Sequence, residues 1–217
     1  MADWRWDDTA TRYRDQVTGR FLSRQAVDGF ITESISTASQ YSEGLASILG
    51  DGQITSGGWY AGMRQEIKEE YIRQYLLGHG GLEQMTQSDW GSIGGMISEQ
   101  YKYLEGFYQE VLTGNLSPEM IAARSDMYLN SAREAFERAQ DRLASDLGYD
   151  EESWNVDPSV ENCDDCLAFA AMGWVKADDD PYGGAFPGSG DTQCLTNCHC
   201  WIDHRQAETG QTLWGEE

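Results

Sequence analysis

The sequence predicts a mainly α-helical protein, in which a bundle of long helices is followed by a small, irregular, α+β-like module rich in cysteine. Apolar residues recur every three or four positions through most of residues 23–149, which is the helical pattern. Beyond residue 149, Pro, Gly, Asp and Cys crowd the chain and the periodicity stops. We therefore divide the chain into an N-terminal arm or hairpin (1–22), a helical domain (23–149) and a cysteine-rich module (150–217).

The N-terminal part predicts a short extended segment followed by the first helix. In residues 13–23, Thr18-Gly19 lies between short apolar runs, which is typical of the turn of a small hairpin or of an extended arm. From Ser23 onward the apolar spacing becomes three and four. This change predicts a first helix that ends at Gly50.

Two further helices follow. Ser56 can cap the second helix, whose apolar and aromatic stripe continues to Gly78. The third helix begins near Ser88 and ends at Gly114. Its first turns contain glycines that either weaken the helix or let a neighbouring helix approach closely: Gly91, Gly94 and Gly95.

The fourth helix is predicted as one continuous element. Ser117 is a typical N-cap, Pro118 suits the first helical position, and Glu119 is favoured beside the positive end of the helix dipole. The pattern continues to Leu147, after which Gly148 ends the helix. A helix of about 30 residues would span roughly 45 Å.

The C-terminal module contains all five cysteines of the chain: Cys163, Cys166, Cys194, Cys198 and Cys200. A pair with two residues between its members, followed after a loop by a second group, is typical of zinc-ribbon-type sites with a tetrahedral ion. The module is too small and too rich in turns to be held by burial alone. We therefore predict a structural Zn²⁺ bound by four of the five cysteines, with His199 and His204 as reserve ligands.

Other interpretations of the cysteines remain open, namely buried free thiols, or one or two disulfides in an extracellular particle. A redox role is disfavoured because no strand-turn-helix unit precedes the first pair. A catalytic metal is disfavoured because a thiolate-rich site leaves no evident open position for water. The three histidines form no recognisable catalytic motif, and the acidic run Asp178-Asp179-Asp180 is best explained as a solvated loop. We therefore expect a protein that is not an enzyme.

The formal charge of −22 opposes tight binding of nucleic acid, which requires neutralisation of phosphates by Lys and Arg. We expect no specific nucleic-acid binding. An acidic surface would suit a passage through which DNA slides, although plain solubility is the simpler explanation. No apolar stretch approaches the roughly 18 residues of a membrane span, so we expect no membrane association.

Two segments together resemble a known family. They are RSDMYLNSAREAFERAQ, residues 124–140, and the cysteine-containing stretches ENCDDC and TQCLTNCHCWID within residues 161–203. Both are similar to the Mu-F-type minor head, or head morphogenesis, proteins of tailed phages. In that family a helical region precedes a module ending in an Asn-Cys-Arg-Cys-like signature, here Asn197-Cys198-His199-Cys200. The family often has His-Pro before this signature, whereas this chain has Leu195-Thr196.

The resemblance implies a structural virion protein, a minor head or head morphogenesis component at or near the portal and head-tail connector. It would be assembled in the host cytoplasm and would contact portal, major capsid or connector subunits and further copies of itself. Three alternatives stay open: a capsid cement or decoration protein, a metal-dependent hydrolase, and a host-derived zinc-ribbon adaptor that binds a protein partner.

Overall fold

The structure, a computed structural model, describes residues 4–7, 12–15 and 20–214. It is mainly helical, with 58% helix and 9% strand, and has a small sheet-containing C-terminal region, which confirms the predicted fold class. The five long helices are α1 (Arg24–Gly50), α2 (Ser56–Gly78), α3 (Gln87–Leu112), α4 (Pro118–Asn130) and α5 (Arg133–Asp146). Within these described residues, no helix has both the length and the apolar character that crossing a membrane requires.

The helix starts follow the capping signals closely. The side chains of Ser23 and Ser117 accept hydrogen bonds from backbone N–H groups in the first turns of α1 and α4, as predicted. The prediction for α2 is wrong by one residue, because Thr55 is the cap and Ser56 is the first helical residue. Helix α3 begins one residue before Ser88 and is capped by Thr86.

The prediction of a single fourth helix is wrong, because the chain turns at Ser131 and Ala132 between α4 and α5. The hydroxyl of Ser131 donates to the carbonyl oxygen of Tyr128, 2.8 Å away, and lies 2.8 Å from the hydroxyl of Tyr71. Around the turn, backbone N–H groups donate to carbonyls three residues back, as in Ala132 to Leu129 at 3.0 Å. The turn lets α4 pack on α1 while α5 packs on α2.

Helix α2 and helix α5 are in close contact at Gly78. A Cβ atom placed there would lie 2.4 Å from the backbone oxygen of Phe136 and 2.8 Å from the Cβ of Ala139. The suggestion that glycines in α3 allow close helix approach is wrong, because a Cβ at any of the three would meet no atom within 4 Å: Gly91, Gly94 and Gly95. These glycines lie on an exposed face of α3.

The N-terminal segment forms an antiparallel pair of strands, β1 (Trp4–Asp7) and β2 (Arg12–Asp15). The buried Tyr13 donates its hydroxyl to the carbonyl oxygens of Leu76 and Leu77 at 3.1 and 2.7 Å, which docks this hairpin on the end of α2. Arg14 also bridges to Phe21 in antiparallel fashion. The predicted turn at Thr18-Gly19 lies outside the described residues.

The C-terminal region consists of strands β3 (Glu151–Asn155), β4 (Val175–Lys176) and β5 (Trp201–Arg205) with the short helix α6 (Asp164–Ala170). The strands form an antiparallel sheet in the order β4-β3-β5. Trp154 on β3 is almost fully buried, and its backbone N–H donates to the hydroxyl of Tyr182 at 2.8 Å. Trp154 packs together with the cysteines in one apolar cluster.

This region also packs on the helical body. Leu213 and Trp214 are buried in a cluster with Val27 and Ile31 of α1 and Phe136 of α5. The chain therefore returns to the helices after β5, and β5 itself packs against α5.

Candidate metal centre

Two chain segments supply the cysteines. Cys163 immediately precedes α6 and Cys166 lies in its first turn, so the start of a helix sets the spacing of the first pair. Cys194 lies in a turn, Cys198 in the loop that follows this turn, and Cys200 directly before β5. The pairing of β5 with β3, and the packing of α6 against β3, bring the two segments together.

The structure gathers all five predicted cysteines around one cavity of about 230 Å³. The sulfur of Cys166 lies 3.7 Å from that of Cys194 and 3.7 Å from that of Cys198. Cys166 belongs to two groups whose sulfurs lie within 4.8 Å of one another, one with Cys163 and Cys194 and one with Cys198 and Cys200. All five are free thiols, and Cys166, Cys198 and Cys200 are buried.

These distances fit a tetrahedral ion. A Zn–S bond is about 2.3 Å long, so four thiolates around one ion lie about 3.8 Å apart. The two separations of 3.7 Å from Cys166 match that spacing. The sulfurs form two groups of three that share Cys166, so side-chain shifts are needed to place four of them on one ion. The cysteine cluster is therefore close enough to hold a metal ion.

A bound cation would stabilise the ionised form of the clustered thiols. The thiol of Cys200 donates a hydrogen bond to Cys198 and lowers the pKa of Cys198 to about 5. Burial raises the pKa of Cys194 to about 11 and raises the pKa of Cys166 even further. Buried thiolates a few ångströms apart cannot all ionise without a compensating charge, and a bound metal ion supplies that charge.

The two reserve histidines have different positions. His199 is exposed and lines the cysteine cavity. His204 is buried on β5, where it faces Glu152 of β3 and lies close to Asp141 of α5. The structure therefore places His204 in another group of side chains, and only His199 is left beside the cysteines.

A polar stripe on α4 and α5 holds the second cysteine segment in place. Asn130 donates its side-chain amide to the side-chain oxygen of Asn197 at 2.9 Å, and Arg133 Nε donates to the carbonyl oxygen of Cys200 at 3.3 Å. One turn further along, Glu137 accepts the backbone N–H of Ile202 at 3.2 Å. Sequence reasoning missed these partners, although polar residues spaced by three and four among alanines were a visible signal.

Buried ion pairs connect this stripe to α1. Arg24 Nη2 lies 2.5 Å from Glu137 Oε1, and Arg133 Nη2 lies 2.8 Å from Asp28 Oδ1. Arg24 also pairs with Asp28 at 3.2 Å. Because Arg24, Arg133 and Glu137 are almost inaccessible to solvent, the position of the cysteine segment relative to α1 and α5 is tightly specified.

The fold and the site define a class, a mainly helical protein with a thiol-rich C-terminal module that is able to hold a metal ion. Comparison of the chain with family models, curated proteins and solved structures gave no significant match.

Proposed function

We propose that this protein is a structural component of a tailed-phage head, a minor head or head morphogenesis protein at or near the portal and head-tail connector. One observation carries the proposal. The two sequence segments that resemble the minor head family, 124–140 and 161–203, contact each other through Asn130 with Asn197 and Arg133 with Cys200. Residues that resemble one family in both segments therefore form one structural unit.

The ion of this unit is proposed to be a structural Zn²⁺. Thiolates are preferred ligands of Zn²⁺, and four of them complete its tetrahedral coordination without leaving a position for water. The ion would tie the start of α6 to the turns before β5. It would stabilise a region whose own apolar core, around Trp154, is small.

The four ligands are proposed to be Cys163, Cys166, Cys194 and Cys198. Cys194 and Cys198 are the sulfurs nearest to Cys166, and Cys163 completes a close group with Cys166 and Cys194. The thiol of Cys200 keeps its proton, because it donates to Cys198 and also lies 4.0 Å from the side-chain oxygen of Asn162. A thiol that keeps its proton for such a contact is a poorer ligand than a thiolate, so Cys200 is the cysteine left over.

The proposed location near the portal is favoured by the charge of the chain. A net charge of −22 repels DNA phosphates, so DNA would pass such a surface without being retained. The partners would be portal, major capsid or connector subunits and further copies of this chain. A cement protein on the capsid shell is the alternative within the same class.

Imaging of purified particles tests the location. Density for this chain at the portal vertex supports the proposal, density distributed over the shell identifies a cement protein, and absence of the chain from particles refutes a virion role. Retention of DNA by the purified protein at low salt, with micromolar affinity, would contradict a position along the DNA passage.

A substitution in the cysteine site separates a structural role from catalysis. Cys163→Ser is expected to release Zn²⁺ and to unfold the C-terminal region, because the bound ion contributes to folding. Intact folding combined with loss of a hydrolytic activity would instead identify the site as catalytic. Circular dichroism, metal analysis and a hydrolase screen on the same preparation distinguish these outcomes.

A further inference from the structure

A second cluster of potential ligands lies where the sheet packs on α5. It consists of Asp141 on α5, Glu152 on β3 and His204 on β5. One carboxylate oxygen from each acid and one ring nitrogen of the histidine all lie within 4.8 Å of one another. Glu152 and His204 are directly opposite in the antiparallel pairing of β3 with β5, so the sheet itself holds two of the three groups together.

Two members of the cluster, Glu152 and His204, are buried, and the cluster lacks protein partners. His204 is only 1% exposed, and its Nε2 atom has no hydrogen-bond partner. Glu152 is 6% exposed. In the part of the chain that the structure describes, the carboxylates of Asp141 and Glu152 form neither a hydrogen bond nor an ion pair. Buried polar groups are normally satisfied, so the unpaired Nε2 atom of His204 beside two carboxyl groups without a protein partner requires an explanation.

The nearest cations are already engaged. Arg138 is close enough to Asp141 to affect its charge, but it is paired with Glu134 at 2.6 Å. Arg24 affects His204 in the same way, but it is paired with Glu137. Asp180 adds further negative charge near Glu152. The cluster therefore has two buried carboxyl groups and no protein cation of its own to compensate them.

The protonation states suit a ligand set. Burial raises the pKa of Glu152 to about 8, with Asp141 and Asp180 adding to the effect. Burial lowers the pKa of His204 to about 3, so its imidazole is neutral near pH 7 and has a free lone pair. Burial destabilises the ionised form of the carboxyl groups beside this neutral imidazole. A bound divalent cation would stabilise the carboxylates and accept the lone pair of the imidazole.

We propose that Asp141, Glu152 and His204 bind a divalent transition-metal ion, at a site separate from the cysteine cluster. Two carboxylates and one imidazole are the mixed oxygen and nitrogen donors that suit Mn²⁺, Fe²⁺ or Zn²⁺. Bonds to such donors are about 2.0–2.2 Å long, so donors on one ion lie at most roughly 4.4 Å apart. Side-chain shifts of a few tenths of an ångström bring the three groups within that limit.

An access route exists on the side of Asp141. This residue is partly exposed and lines a surface cavity of about 420 Å³ between α2, α3 and α5. Glu99 and Glu134 line the cavity together with Arg138 and Arg142, so acidic and basic side chains are both present around it. Three protein ligands leave at least one coordination position of the ion for water.

A shared proton is the competing explanation, because a neutral Glu152 carboxylic acid could donate to the ring of His204. The experiment that decides uses the full chain with its cysteine site loaded with Zn²⁺, then dialysed and titrated with Mn²⁺. Thiolate sites select softer ions, so Mn²⁺ reports on oxygen and nitrogen ligands. Calorimetry and electron paramagnetic resonance are expected to show one tightly bound Mn²⁺ per chain, together with a rise in the melting temperature.

Substitutions of the proposed ligands test where the ion binds. Glu152→Gln and Asp141→Asn keep side-chain size and are each expected to weaken Mn²⁺ binding by about tenfold or more, since even indirect partners of metal ligands contribute about 10- to 100-fold. Asp180→Asn removes a neighbouring charge that is not a ligand and is expected to change affinity by about twofold. Circular dichroism verifies that each variant is folded. If Glu152→Gln does not fold, Asp141→Asn, which changes the more exposed residue, still tests the ligand assignment.

Two results would overturn the proposal. One is a wild-type chain that binds no Mn²⁺, and no Zn²⁺ beyond the cysteine-bound equivalent, which leaves the shared proton as the explanation. The other is Mn²⁺ binding of equal affinity in the wild type, Glu152→Gln and Asp141→Asn, which would identify adventitious binding to the acidic surface.

Discussion

Glu137 on α5 forms a buried ion pair with Arg24 at the start of α1, with Arg24 Nη2 2.5 Å from Glu137 Oε1, although the two residues are 113 positions apart. The other carboxylate oxygen of Glu137 accepts the backbone N–H of Ile202 on β5. One side chain thus connects the first long helix, the fifth helix and the strand that follows the cysteines. Its loss should affect the helical body and the sheet together.

We expect Glu137→Ala to lower the free energy of unfolding by about 3–5 kcal/mol, because it leaves the buried guanidinium of Arg24 without its main partner. Chemical denaturation measures the change. Glu110→Ala is the matched control, since its ion pair with Arg124 is exposed and should not contribute measurably. Equal effects of the two substitutions would show that the buried pair does not hold the fold together.

Serine substitutions should identify the cysteine that is not a ligand. Cys194→Ser is expected to abolish stoichiometric Zn²⁺ binding, because it removes one of the sulfurs closest to Cys166. Cys200→Ser should retain the ion, since its hydroxyl can replace the thiol that contacts Asn162. Elemental analysis of both purified variants provides the measurement. Zinc lost from Cys200→Ser and kept by Cys194→Ser would reverse the ligand assignment.

The close approach of α2 and α5 at Gly78 should be intolerant of a side chain. Gly78→Ala is expected to destabilise the protein by about 1–3 kcal/mol, because its Cβ would overlap the backbone of Phe136. Gly91→Ala on the exposed face of α3 should instead stabilise it by about 0.5–1 kcal/mol, since alanine favours the helix and meets no neighbouring atom. Thermal unfolding of both variants should show shifts of opposite sign.

Asp89 should contribute stability that is lost in acid. Burial opposes ionisation of this carboxyl group, but hydrogen bonds from Thr86 and Tyr75, together with the nearby His79, lower the pKa of Asp89 below its ordinary value of 3.8. Between the two pKa values, the unfolded chain therefore binds more protons at this residue than the folded chain does. The contribution of Asp89 to the free energy of unfolding is complete above pH 3.8 and disappears as the pH falls through the folded pKa.

Near neutral pH, Asp89→Asn is expected to lower the free energy of unfolding by about 1 kcal/mol, the usual contribution of capping hydrogen bonds, because Asp89 and the cap residue Thr86 bond each other reciprocally. The difference from the wild type should shrink below about pH 4. Denaturation at a series of pH values measures it, with Asp178→Asn in an exposed loop as the control. A difference that is constant with pH would show that ionisation of Asp89 contributes nothing.

Much of the helical body could be predicted from the sequence, because its signals are local. Ser23 and Ser117 mark helix starts through a hydrogen bond to an N–H group only three residues away, and Gly50 and Gly78 end helices where the apolar periodicity stops. The cysteines of the candidate metal centre could be named for the same reason, since pairs and clusters of thiols are visible as spacing alone.

Tertiary contacts decided the features that the sequence could not predict. The turn at Ser131 depends on a hydroxyl contact with Tyr71, which is 60 positions away. The grouping of Asp141, Glu152 and His204 depends on strand register and on helix packing. Neither can be recognised from the sequence around any one of these residues.

The cysteine site shows the same division. The sequence by itself determined which five residues could bind a metal, because ligand type and spacing are properties of short segments. Only the tertiary structure decided that Cys166 lies at the centre of the cluster and that Arg133 of α5 holds the backbone at Cys200, because these distances arise when segments remote in the chain are packed together.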